Sequence, residues 1–234
     1  MQKNILHFAY VAIVISAMFT SCKKAEVTVS ATDPQLAFAV QTDQLAFTFP
    51  QTGASTGKIS FLWTDGNANI TQFKLDAKRG GIASTYTAGA LSNIDLFGFN
   101  KAFSNTSIPK GDYTEAKATV VFSQTSTTPY PLTLKGTFTT ASATVIPTEF
   151  DLNDNLEVRI PVINIIADGT KNFTTNIWMH LSILLNGISA QDIDGAARIN
   201  GTILINKTNN ITLYAKMKGN ISVCAGAVLS STAK

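Results

Sequence analysis

Short runs in which apolar and polar residues alternate dominate the chain, the signature of strands buried on one face. Leu36, Phe38 and Val40, then Leu45, Phe47 and Phe49, alternate in two pieces around Thr42-Asp43. The stretches 58–63 and 70–78 flank Asp65-Gly66-Asn67, residue types that tolerate positive φ, so the spacing predicts a hairpin there. In its second arm Phe73, Leu75 and Ala77 alternate with Gln72, Lys74 and Asp76. Further strands are predicted over 84–87, 92–98, 113–124, 130–140, 145–151 and 156–165, with Pro109 and Gly111 forcing a sharp entry into the strand from Tyr113. Recurrence of strand signals every ~8 to 12 residues is the pattern of an antiparallel sandwich or barrel.

The period changes in the last third. Ile177, Leu181, Leu184, Leu185 and Ile188 fall at helical spacing with Asn176, His180 and Gly187 opposite, which predicts a short amphipathic helix ending at Asn186-Gly187. The run 199–205 reads as one strand. Asn209 or Asn210 is placed to cap a helix through Tyr214, Met217 and Ile221, although alternation of Ile211, Leu213, Ala215 and Met217 keeps a strand open there. The expected fold is mainly β: an antiparallel β-sandwich over 35–234 with one or two short C-terminal helices, and a smaller subregion from about residue 166.

Residues 1–21 differ from this body. Lys3 precedes an apolar stretch that is uncharged from Val11 to Phe19, a basic n-region and an h-region too short to span a bilayer comfortably. The segment closes on Phe19-Thr20-Ser21-Cys22, which resembles a bacterial lipobox with Phe in place of the commoner Leu. The resemblance implies cleavage before Cys22 and acylation of that residue on sulfur and nitrogen, palmitate-type chains that anchor the mature protein in a membrane. Residues 23–34 then form a tether. The Ser-Cys-Lys-Lys junction is similar to those of Bacteroidota lipoproteins, and no Asp follows Cys22, so the outer membrane is the expected address, with its leaflet left open.

The series Phe73-Lys74-Leu75-Asp76-Ala77, Asn93-Ile94-Asp95-Leu96-Phe97, 108–113 (Ile-Pro-Lys-Gly-Asp-Tyr) and 130–138 (Tyr-Pro-Leu-Thr-Leu-Lys-Gly-Thr-Phe) resembles a group of Bacteroidota lipoproteins of no assigned activity. Trp178 to Ile188 and Asn200 to Ile221 are similar to their later part. The resemblance implies a transthyretin-like or immunoglobulin-like sandwich and transfers no catalytic residue. Lys74-Leu75 departs from it where an acidic residue is usual, and Lys110 where Ala is.

Composition narrows the function classes. At 234 residues, 45% hydrophobic and 14% charged with a net charge of +3, the chain is too apolar for a disordered protein and lacks the basic field that nucleic acid requires. With Cys22 acylated, Cys224 has no intramolecular partner, and its neighbours Ile221 and Val223 mark it as a small buried hydrophobe. The body has a single His, His180, and no Gly-x-Ser-x-Gly elbow. The stretch 53–60 falls one residue short of a phosphate loop and has Ile59 where Ser or Thr must hold Mg²⁺.

Two acidic loops are candidate calcium sites. Asp151, Asn153, Asn155 and Glu157 alternate like the opening of a calcium loop, with Leu156 in place of its Gly and Val162 in place of its last Glu. Asp192 and Asp194 form the second, and either pair has the residue types of a two-carboxylate glycosidase. Trp63 and Trp178 are candidate sugar-stacking residues if exposed. Sequons such as those at Asn69, Asn200 and Asn210 read as by-products of Thr-rich turns. The resulting expectation is a lipid-anchored cell-envelope protein, not an enzyme, that takes no cofactor and acts in binding, adhesion or assembly. Its expected partners are the membrane, through acylated Cys22, and envelope proteins or glycans. A glycan-binding accessory role is the alternative, and a hydrolase a third.

Overall fold

The structure, a computed structural model, describes residues 30–43, 46–50, 57–98, 104–126 and 129–234. The signal segment, Cys22 and the tether up to residue 29 lie outside the described residues, as do Leu45 and residues 53–56 of the rejected phosphate loop. The chain folds mainly into strands, with helices confined to the last third.

A four-stranded sheet runs in the order β15 (Ala225–Ala233), β12 (Lys171–Met179), β1 (Gln35–Thr42), β6 (Ser104–Ser107). Within it β1 and β12 are parallel, Leu36 opposite Phe173 and Thr42 opposite Met179, while β15 and β6 pair antiparallel to their neighbours. The second sheet is organised on β3 (Ser60–Arg79), a strand of 20 residues. Along one edge of its first half lies β8 (Leu132–Thr139), and along its second half β7 (Gly111–Phe122), both antiparallel to it. Its other partners are β2 (Phe47–Thr48), β4 (Ile82–Ala88) and β5 (Leu91–Asp95). Beyond β7 lie β10 (Leu156–Pro161) and β11 (Ile165–Ala167). Beyond β8 lie β9 (Val145–Leu152), then β14 (Thr202–Ile205) and β13 (Arg198–Ile199).

The two sheets face each other through side chains at alternate positions. Phe38 of β1 stacks on Phe73 of β3, centroids 5.3 Å apart, and both are fully buried in one apolar cluster with Leu36, Val40, Leu75 and Ile177. This bears out the expectation of a mainly β sandwich with short C-terminal helices. Helical pieces accompany the other half: a 3-10 helix (Leu181–Leu185), α1 (Ala190–Asp194) and α2 (Ile211–Ile221). α2 lies against the 3-10 helix, β9 and β14, with Tyr214 stacked on Phe150 at 5.9 Å.

Three local readings change. Asp65-Gly66-Asn67 is not a turn but the middle of β3. Gly66 has no positive φ; it is glycine because a Cβ would come within 2.7 Å of Leu134 and 3.0 Å of Phe97. The hairpin turn sits instead at Gly80-Gly81, with φ of 56° and 80°, the primed-turn geometry that matches strand twist. The predicted helix over 177–188 divides between β12, whose Phe173, Thr175, Ile177 and Met179 point inward at period 2, and the 3-10 helix, which buries Leu181, Leu184 and Leu185. Two apolar stretches of different period, laid end to end, gave a spurious helical spacing. The predicted strand 199–205 is a hairpin, β13 to β14, turned by Asn200 (φ 52°) and Gly201 (φ 83°).

Candidate functional site

Each side chain of the first acidic loop has a partner of its own. Asp151 is buried on β9, accepts a hydrogen bond from Thr133 Oγ1 at 2.9 Å, and has its pKa raised by burial. Asn153 Oδ1 accepts the Lys207 N–H at 2.8 Å, Asn155 Oδ1 accepts the Gln124 N–H at 3.1 Å, and Glu157 pairs with Arg159 at 2.7 Å. Asp151, Asn153 and Asn155 thus tie the β9–β10 turn to its neighbours, while Glu157 pairs within β10.

The residue that organises this turn is Asp154, which the alternating pattern steps over. Its carboxylate accepts from Lys218 Nζ at 2.6 Å, Tyr214 Oη at 2.9 Å and Lys207 Nζ at 3.3 Å. Tyr214 Oη in turn accepts the Asn153 N–H at 3.1 Å. Tyr214 and Lys218 are four apart on α2 and so share one face, the only sequence signal that could have found the cluster. Hydrogen bonds from Lys218 and Tyr214 hold Asp154 down to about 2, and the same carboxylate pushes Lys218 up. Burial and the neighbouring Asp154 raise Tyr214. An ionised acid, a charged lysine and a neutral phenol, each satisfied, form a staple between the turn and the helix.

The second loop is spoken for in the same way. Asp192 completes a capping box with Ser189 at the start of α1 and pairs with Lys216 of α2 at 3.1 Å; Asp194 pairs with Arg198 at 3.3 Å. Bonds from Ser189 and Lys216 hold the Asp192 carboxyl below its usual range, the opposite of what a general acid needs. A groove of about 200 Å³ lies beside Asp192, Lys216 and the first residues of α2. Among the described residues no three of His, Cys, Asp and Glu lie together as a metal-holding group.

His180 Nδ1 lies 2.8 Å from Asp43 Oδ2, and Asp43 Oδ1 accepts the Leu181 N–H at 3.1 Å, so the pair fixes the start of the 3-10 helix. The His180 N–H donates to the Cys224 carbonyl, which brings a His–Asp pair near a thiol. That thiol is fully buried, bonds the Ile221 carbonyl, and is pushed by burial up to about 12, so it is no nucleophile. Trp63 is buried at 3% exposure with its ring 4.6 Å from Phe61, which removes it as a sugar platform; Trp178 is half-buried on β12.

One edge of the smaller sheet has no hydrogen-bonded partner strand, although β10 runs close to part of it. β15 is the outermost strand of its sheet, nine residues long with no charge and no proline. Edge strands ordinarily carry such residues to block pairing with another chain. Val228 is 59% exposed on it, and a groove of about 340 Å³ nearby is lined by Leu229 and Ser231 of β15, Lys171 and Phe173 of β12, and Ile166 and Asp168. The chain matches no protein-family model, no curated protein and no solved structure.

Proposed function

We propose that this chain is a lipid-anchored lipoprotein of the cell envelope, held at the outer membrane through Cys22, whose sandwich serves a non-catalytic role in binding or assembly. The observation that carries the reading is the outer strand β15, which has no hydrogen-bonded partner strand on its far side and carries no charge along its nine residues. Such an edge accepts an extended segment by strand addition, with main-chain hydrogen bonds giving the affinity. The engagement of Asp151, Asp154, Asp192 and Asp194 in structural bonds supports the same reading. The resemblance to Bacteroidota lipoproteins, on residues 73–77, 93–97, 108–113 and 130–138, agrees with it. A glycan-accessory role now rests on Trp178 alone.

The test is photo-crosslinking in intact membranes from a probe placed at Ser231, comparing the native chain with Val228→Lys. Val228 is exposed, so the lysine leaves folding intact while obstructing the edge. A discrete crosslinked product that Val228→Lys abolishes supports strand addition. No product, or one that survives the lysine, removes it.

A further inference from the structure

The described chain begins at one end of the sandwich, and that end carries exposed isoleucines. Ser30 is fixed in a turn by its N–H to Asp33 Oδ2 at 2.6 Å and by the Asp33 N–H to its own carbonyl at 2.9 Å. Lys234 Nζ clamps the same turn, donating to the Thr32 and Asp33 carbonyls at 2.8 Å each. From there the strand registers lead across the end of the molecule: Gln35 pairs with Ser107, Ile108 N–H bonds Pro34, Gly111 pairs with Ala167 and Asp112 with Ile166. Tyr113 pairs with Arg79, and Arg79 with Ile82 beyond the Gly80-Gly81 turn. Ile82 is 73% exposed, Ile166 68% and Ile163 67%.

We infer that this end of the sandwich rests on the lipid surface, with Ile82 and Ile166 entering the interfacial layer of the bilayer that holds the acyl chains. The inference rests on the reading of Cys22 as the acylated residue. Seven residues, hence eight chain steps, separate Cys22 from Ser30, a reach of at most about 28 Å even when fully extended. Exposed apolar residues alone do not choose this end, because Val145, Ile199 and Ile211 are exposed in the other half of the body. The point of chain entry does. Val145 lies level with Ser60, a whole β3 length from Arg79, up to about 60 Å for 20 residues. The tether cannot bring that end to the bilayer while the body stands upright on it.

Charge is permissive without driving the contact. Lys78, Arg79, Lys110, Lys171 and Lys234 lie at this end beside Asp33, Asp112, Glu115 and Asp168, and Lys78 is paired with Glu115. The attraction is therefore the burial of two or three isoleucines, weak alone and made effective by the high local concentration that a short tether imposes.

Nitroxide labels at Ile82→Cys, Ile166→Cys and, as control, Val145→Cys test this in the full acylated protein reconstituted in phosphatidylethanolamine–phosphatidylglycerol vesicles. Cys224 is buried, so the label goes to the introduced thiol. The expected result is that labels at 82 and 166 collide several-fold more with lipid-soluble oxygen than with a water-soluble nickel chelate, while the label at 145 stays water-exposed. A protein that floats with the vesicles but has all three labels in water overturns the docking alone. A protein that does not float at all overturns the anchor and the docking with it.

Discussion

Asp154 shows what a single side chain contributes here. Held down to about 2 against an ordinary value of 3.8 by Lys218 and Tyr214, it favours the folded state fully above about pH 4, and this contribution is lost as pH falls through 2. Its partial exposure reduces the effect, so Asp154→Ala is expected to cost about 1 kcal/mol at neutral pH. In urea titrations the variant's penalty should shrink as the pH approaches 2; a penalty that is flat with pH would assign the loss to packing. Cys224 offers a second check at this scale. With its thiol pushed up to about 12 and no exposed surface, it should react with Ellman's reagent in a Cys22→Ser background only after unfolding. Rapid reaction of the native protein would contradict its place in the core.

Between elements, the critical residue is Asn69. It sits in β3 where the pairing passes from β8 to β7, and its side chain donates to the Tyr130 carbonyl at 2.7 Å and accepts the Asn93 N–H at 2.9 Å. Its backbone bonds Pro131 and Ser123, so one residue joins three neighbouring segments: the entry to β8, β5 and the end of β7. Asn69→Ala removes the partner of a half-buried carbonyl and of the Asn93 N–H and is expected to lower stability by about 1 kcal/mol; denaturant midpoints measure it, and a loss within error would show that water replaces both bonds. Gly66→Ala, which drives a Cβ toward Leu134 and Phe97, is expected to cost about 1–3 kcal/mol in the same assay. Both sites mark where sequence reading stopped. Alternation located most strands because it depends on burial of one face, a local property; Phe73, Leu75 and Ala77 are all buried as the pattern requires. Gly66 misled because a glycine serving close approach looks the same in sequence as a glycine serving a turn. Asp154, like Asn69, was invisible because its partners lie far along the chain, Lys218 being 64 residues away.

The whole molecule is two packed layers that share one strand. The first half of β3 belongs to the helix-covered part with β8 and β9, the second half to the two-sheet sandwich with β7 and β1. A shared strand couples their unfolding, so Phe73→Ala in one layer and Phe150→Ala in the other, each expected to cost about 3–5 kcal/mol, should lower a single calorimetric transition. Two transitions, each moved by only one substitution, would show the layers to be separate cooperative units. The parallel pairing of β1 with β12 has a further consequence, in time. Gln35 meets Asn172 across 137 residues, and closing a loop of that length precedes any reward from the contact. The first strand of the body therefore waits for nearly three-quarters of the chain to emerge before it can take its place between β12 and β6. On the proposal that the chain is cut and acylated at Cys22, that processing would meet a strand still without its partner, and maturation of the N-terminus would run ahead of closure of the sheet beside it.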